Sequence, residues 1–207
     1  AKVNGVSHGT EEPTVLSEYG GWPSILRDLV DGVDLSVKAA RASLSSILRG
    51  EATDAQVAGF IIAIGMKGGS VPELTGMVEA MMEAAAPLVL PAGAIDIVGS
   101  GGAPARSKNA LNVSTMSCFV AAAAGAAVCK HGSVAASSSS GSFDLLGELG
   151  INIEANGDEV ARCVAQTGIG FAFAKAFHPS MRHVGPVRSE LGVPTTFNFL
   201  GPLSHPG

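Results

Sequence analysis

Asp96-Ile97-Val98-Gly99-Ser100-Gly101-Gly102 is an apolar segment of strand length that runs straight into a glycine turn. Glycines let backbone N–H groups approach a phosphate closely, and a nearby helix N-terminus adds its positive end. An ordinary strand-to-helix turn explains the same residues, and the glycines alone leave the two readings level. The stretch decides the fold class through what surrounds it. Apolar segments of strand length stand at Ala94 to Val98, Ala126 to Cys129, Ile151 to Ile153, Gly170 to Ala174 and Thr195 to Phe199. Between them, helical patterns occupy Ser114 to Ala124, Ser142 to Leu149, Asp158 to Thr167 and Ser180 to Leu191. This alternation predicts an α/β domain with a mainly parallel sheet over residues 91–207.

On the N-terminal side of Pro91 the pattern is helical only. Val37, Ala40, Leu44, Ile47 and Leu48 recur at helical spacing and stop at Gly50, a natural C-terminal cap. Thr53 with Gln56, and Ser70 with Glu73, are capping-box signatures that open two further helices, the second carrying Pro72 in its first turn. Residues 24–90 are therefore expected to form a helical domain, with residues 1–23 a polar, aperiodic, mobile leader. Val184, Arg188 and Leu191 share one face of the last helical pattern, and the segment 180–191 is expected to pack on the helical domain.

The chain has 207 residues, is 46% hydrophobic and carries 13 Lys+Arg against 18 Asp+Glu, a net charge of −5. That supports a real core and excludes the clustered cations of a nucleic-acid surface. The uncharged run between Lys108 and Lys130 is alanine-rich and interrupted by Asn112, Ser114, Thr115 and Ser117, so it is not read as a membrane span, and no signal peptide is expected. Cys118, Cys129 and Cys163 fit neither a disulfide framework nor a zinc site, which points to a reducing cytoplasm.

Four further features could carry chemistry. Asn112-Val113-Ser114-Thr115 opens a helix and suits a phosphate or a hydrated magnesium ion, although plain capping explains Ser and Thr there as well. Lys130-His131-Gly132 is expected to emerge at the carboxyl edge of the sheet, where open parallel sheets place ligands; a solvated lysine is the plainer explanation. Ser133 to Ser142 is rich in hydroxyls and sits inside a regular strand-helix alternation, which favours an anion-binding loop over a linker. Arg188, on an apolar helix face, either meets an internal carboxylate or receives the carboxylate of a substrate.

Together these residues resemble the anthranilate phosphoribosyltransferases. The likeness runs from about Ser24 to Gly207 and rests on Gly50-Glu51-Ala52-Thr53, Lys67-Gly68, Gly99-Ser100-Gly101-Gly102, Asn112-Val113-Ser114-Thr115, Lys130-His131-Gly132, Ser137-Ser138 with Ser140-Gly141-Ser142, Phe177-His178-Pro179, Pro186-Val187-Arg188 and Phe197-Asn198-Phe199-Leu200-Gly201-Pro202-Leu203. It implies transfer of phosphoribosyl from 5-phosphoribosyl 1-diphosphate to anthranilate in tryptophan biosynthesis, with magnesium, by a cytoplasmic homodimer paired through the helical domain. It further implies that Gly99, Gly101, Gly102, Asn112, Ser114, Thr115, Lys130, Ser138 and Ser142 hold the phosphoribosyl diphosphate, Ser114 touching magnesium and Lys130 stabilising the departing anion. Gly99, His131, Ser133, His178 and Arg188 would face anthranilate.

The sequence departs from the family pattern at Ala103-Pro104, where an acidic residue is usual, and at Ser133-Val134, where Asn-Arg is usual, so substrate contacts are expected to differ. The resemblance also places Gly207 inside the family's α/β domain, before the family's magnesium-binding Asp-Glu pair, and the chain alone is expected to be inactive. A noncatalytic ligand-binding or regulatory relative and a pyrimidine nucleoside phosphorylase are the competing readings.

Overall fold

The computed structural model describes residues 15–99, 111–134 and 141–207. The N-terminal part is a bundle of four helices, α1 (Gly21–Val30), α2 (Val37–Leu48), α3 (Asp54–Lys67) and α4 (Val71–Glu83), preceded by a 3-10 turn at Leu16–Tyr19. Order begins earlier than the expected leader boundary, because Leu16 and Trp22 are buried in the bundle core and Trp22 packs edge-on against Phe60 at 5.9 Å. Residues 1–14 lie outside the described residues.

Local signals set the helix ends. Ser36 accepts the Ala39 N–H at 3.2 Å to start α2, and Gly50 follows that helix at φ 74°, a left-handed conformation that favours glycine. At α3 the capping box is complete: the Thr53 hydroxyl accepts the Gln56 N–H at 3.3 Å, and the Gln56 carbonyl oxygen accepts the Thr53 N–H at 2.9 Å. Thr53→Ala is expected to remove about 1 kcal/mol of stability, read as a lower urea midpoint at unchanged slope. The end of α3 is tied to the start of α4 by Glu73, a fully buried carboxylate that accepts from Leu35 N–H (3.0 Å), Ser70 N–H (2.8 Å) and the Lys67 ammonium (2.9 Å). Asp34 also pairs with Lys67. Burial opposes the charge on Glu73, but these donors win and hold its carboxyl below the usual range. Lys67-Gly68 thus serves the bundle.

The α/β part follows as α5 (Val113–Ala123), β1 (Val128–Gly132), α6 (Ser142–Glu148), α7 (Gly157–Thr167), β2 (Ile169–Phe173), α8 (Ala174–Phe177), a 3-10 turn at Pro179–His183, α9 (Gly185–Leu191) and α10 (Phe197–Leu203). The strands β1 and β2 are parallel, with Val128 opposite Ile169 and Gly132 opposite Phe173. Alternation along β2 serves two layers: Ala172 packs with Val160, Val164 and Phe177, while Phe171 and Phe173 pack with Phe143 and Leu146 of α6.

Three expected strands are absent from the described residues. Ala94 to Val98 forms a single bridge, Ile95 opposite Val128, and then leaves the sheet. Ile151 and Ile153 have no ladder partner and instead pack partly buried on the Phe143 cluster. Thr195 to Phe199 belongs to the region of α10, because Phe197 and Leu200, three apart, are the buried residues and Phe199 faces outward; the apparent two-residue alternation is the wrong period. The helix expected at Ser180 to Leu191 divides at Val184, where Gly185-Pro186 starts a new helix. Val184 and Val187 of this segment, with Phe197 and Leu200, join the core of the helical bundle. Met77 and Met81 are internal to that core, and Met82 is exposed. Among the described residues no helix is long and apolar enough to cross a membrane.

Candidate functional site

The carboxyl end of β1 and the C-terminal half of α10 enclose a cluster of imidazoles. The His131 ring stands edge-on to His178 at 5.2 Å and to His205 at 5.7 Å. His178 Nε2 lies 2.9 Å from the Ser204 carbonyl, which assigns the proton to Nε2. His205 Nε2 is 3.0 Å from the Cys129 carbonyl, while its Nδ1 accepts the Gly207 N–H at 3.0 Å. His131 and His178 are buried, and His131 Nε2 and His178 Nδ1 have no hydrogen-bond partner. Burial, then the neighbouring imidazoles, push the His131 pKa down to about 3, and burial lowers that of His178.

Lys130 differs from expectation. It is not a free cation at the sheet edge: it is 2% exposed, and its ammonium donates to the Ile97 carbonyl at 2.8 Å. Burial pulls its pKa below the usual lysine value, against the attraction of Cys118 and Asp96. In this arrangement the ammonium braces the segment before Gly99, and a direct role on a departing anion is not the one its geometry serves. The neighbouring thiols are inert, since burial pushes Cys129 up to about 12 and raises Cys118 as well.

A second group gathers around Gly132. The Asn112 side-chain amide donates to the Gly141 carbonyl at 3.4 Å, and the Ser142 hydroxyl donates to the Ser133 carbonyl at 3.4 Å. A Cβ placed on Gly132 would lie 2.7 Å from the Ser142 hydroxyl, so glycine permits this approach. Thr115, in the first turn of α5, is fully buried with its hydroxyl unpartnered, and Ser114 beside it is half-buried. Asn112, Ser114, Thr115, Ser133 and Ser142 are thus drawn towards the ends of α5, β1 and α6. Gly99 is exposed, whereas Gly101, Gly102 and Ser138 lie outside the described residues, as do Ala103-Pro104.

Arg188 reaches α10 from α9. Its Nη2 donates to Asn198 Oδ1 at 2.8 Å, and the guanidinium stands over the Phe197 ring at 5.4 Å. Among the described residues no carboxylate pairs with it, so the internal acidic partner left open by the sequence is not found. Burial pulls its pKa below the ordinary arginine value. One end of α10 therefore anchors a half-buried cation, and the residue after its other end, Ser204, holds His178.

Magnesium fits this part of the chain only as a visitor. Among the described residues no three His, Cys, Asp or Glu side chains could hold an ion together. Ser114 offers one oxygen beside the unpartnered Thr115 hydroxyl, whereas magnesium needs carboxylates or phosphates to complete its shell. An open groove of about 640 Å3, lined by Ile61, Met66, Leu74, Pro194 and Phe199 among others, is nearly all apolar and contains none of the candidate residues.

Sequence reasoning assigned no role to Asp96, Asn198 or His205. Asp96 had a signal, a carboxylate inside an otherwise apolar segment next to a glycine turn. Asn198 and His205 act through partners that only folding brings near.

This architecture, a helical bundle followed by a parallel α/β unit with polar loops at the strand ends, is that of a glycosyl transferase. Residues 23–85 match the helical bundle domain and residues 92–207 the a/b domain of the glycosyl transferase family, and the chain belongs to that family. Similar relatives are anthranilate phosphoribosyltransferases. That of Salinispora arenicola is 49% identical over 189 residues, a match covering 89% of this chain and 53% of the relative. That of Nocardioides sp. is 50% identical over 185 residues, with the same two coverages, 89% and 53%. The crystal structure of anthranilate phosphoribosyltransferase from Thermus thermophilus superposes with a TM-score of 0.81 at 42% identity, over 88% of this chain and 55% of that one. The Saccharomyces cerevisiae enzyme in complex with PRPP and Mg gives 0.72 at 31% identity, over 96% and 57%. The chain spans about half the length of the relatives it matches.

Proposed function

We propose that this chain is part of a phosphoribosyltransferase that joins anthranilate to the ribose of 5-phosphoribosyl 1-diphosphate in tryptophan biosynthesis. The amine nitrogen bonds to C1 of the ribose as the bond from C1 to the diphosphate oxygen breaks; diphosphate leaves with the electron pair and the amine sheds a proton. The observation that carries the reading is Arg188, a half-buried guanidinium with no carboxylate partner among the described residues. Asn198 and Phe197 orient it and leave other N–H donors for a bidentate carboxylate. His131 and His178, held neutral, add an uncharged wall suited to an aromatic ring. Asn112, Ser114, Thr115, Ser133 and Ser142 offer hydroxyl and amide groups to a diphosphate, and magnesium enters with that substrate, supplying charge neutralisation of the leaving anion. A cytoplasmic homodimer paired through the helical part completes the proposal, supported by exposed Met66, Val71 and Met82 on its surface.

The test uses the full-length protein with anthranilate, phosphoribosyl diphosphate and magnesium, following anthranilate consumption. Arg188→Met is expected to raise the KM for anthranilate about tenfold or more, and to leave the KM for phosphoribosyl diphosphate little changed. An unchanged anthranilate KM would remove the role given to Arg188, and absence of turnover in the wild type would remove the enzyme reading.

A further inference from the structure

The segment 95–98 begins a third parallel strand beside β1 and stops after one bridge. Its first rung is regular: Ile95 N–H donates to the Ala127 carbonyl at 2.9 Å, and Cys129 N–H donates to the Ile95 carbonyl at 2.9 Å. Continued in parallel geometry, the next rung would join Ile97 N–H to the Cys129 carbonyl and His131 N–H to the Ile97 carbonyl. Side chains take three of those four groups. Asp96 Oδ1 accepts the His131 N–H at 3.1 Å, the Lys130 ammonium donates to the Ile97 carbonyl at 2.8 Å, and His205 Nε2 donates to the Cys129 carbonyl at 3.0 Å. Buried backbone groups must be paired, and here they are paired without the strands remaining adjacent.

We infer that Asp96, Lys130 and His205 are positioning residues that end this ladder and hold the two strand ends apart, so that the backbone before Gly99 and the Lys130-His131-Gly132 turn flank a crevice of set width. The inference rests on the phosphoribosyl-transfer reading for its occupant, a sugar diphosphate. Spreading of neighbouring strands at their carboxyl ends is where parallel sheets admit ligands. Side-chain bonds of this kind fix the spacing more rigidly than solvated backbone would. Asp96 and Lys130 also attract each other, which keeps the carboxylate and the ammonium on their backbone partners rather than in solvent.

The experiment is carried out on the full-length protein and begins with wild-type turnover, whose absence overturns the transferase reading and with it the occupant. With turnover present, Asp96→Ala is compared with Asp96→Asn, which keeps an oxygen for the His131 amide. Asp96→Ala is expected to speed hydrogen exchange at the His131 amide about tenfold or more and to raise the KM for phosphoribosyl diphosphate by a similar factor, kcat changing less. Asp96→Asn should stay within about threefold of wild type in both. Should Asp96→Ala fail to fold, His205→Ala against His205→Gln asks the same of the Cys129 rung, with the glutamine amide restoring the donor. Unchanged exchange and unchanged KM in the alanine variants of a working enzyme overturn the proposal alone. Equal damage from the alanine and the conservative variants overturns it too, since loss of the bond would then not be the cause.

Discussion

Gly76→Ala is expected to destabilise the helical bundle by about 3 kcal/mol, the upper end of what overpacking costs. A Cβ at position 76 would stand 2.1 Å from the Val37 carbonyl oxygen and 2.9 Å from the Arg41 nitrogen, both backbone atoms of α2. A clash with backbone cannot be relieved by a rotamer change; α2 and α4 must separate, and the Met77 and Ala40 contacts they bury go with them. Helix propensity argues the opposite sign, because alanine is favoured over glycine in a helix by about 1 kcal/mol. Gly65→Ala in α3, where a Cβ meets nothing within 4 Å, isolates that propensity and is expected to stabilise by about 0.5–1 kcal/mol. Urea unfolding of the two variants decides the matter: a stabilised Gly76→Ala would mean that α2 and α4 do not approach as closely as described.

The second large effect is loss of stability in mild acid. An unfolded histidine binds a proton below about 6.5, while folded His131 refuses it down to about 3. The unfolded chain therefore holds more protons across that window, and stability falls as pH falls from about 6.5 towards 3 and is flat with respect to this group above it. At about pH 5 the His131 contribution alone amounts to about 2 kcal/mol lost, and His178, lowered by burial in the same way, adds to it. Asp96, whose carboxyl is raised by burial, acts in the opposite sense. Replacing His131 by leucine should flatten the dependence of the unfolding midpoint on pH between about 7 and 5. A slope unchanged in that variant would show that His131 is already protonated, or solvated, in the folded protein.

The imidazole cluster and the intercepted ladder also explain how two similar segments of sequence came to differ. Ala126 to Cys129 and Ala94 to Val98 are both short and apolar, yet only the first lies in a regular strand. What separates them is Asp96, which takes a partner from across the ladder, and Lys130, whose long side chain reaches back over it. Lys130 was legible as a strand-end cation, and its place at the end of β1 is as expected; its burial was not, because the Ile97 carbonyl that receives it is 33 residues away in the chain. Arg188 was legible as a cation on an apolar face, and the absence of an internal acidic partner could be learned only from the fold.

The sequence by itself determined what depends on neighbours three or four residues apart. The Thr53 and Gln56 box, the stop at Gly50, the buried stripe of Val57, Phe60, Ile61 and Ile64 and the α/β alternation all follow from local geometry, and each is found in place. Tertiary structure alone decided which face of Phe197-Asn198-Phe199-Leu200 turns inward, why Gly76 tolerates no side chain, and that His205 completes a rung at Cys129, 76 residues earlier. The physical reason is the same in each case. A helix cap is satisfied within its own turn, whereas a sheet's hydrogen bonds and the space beside a glycine belong to segments that meet only when the chain has folded.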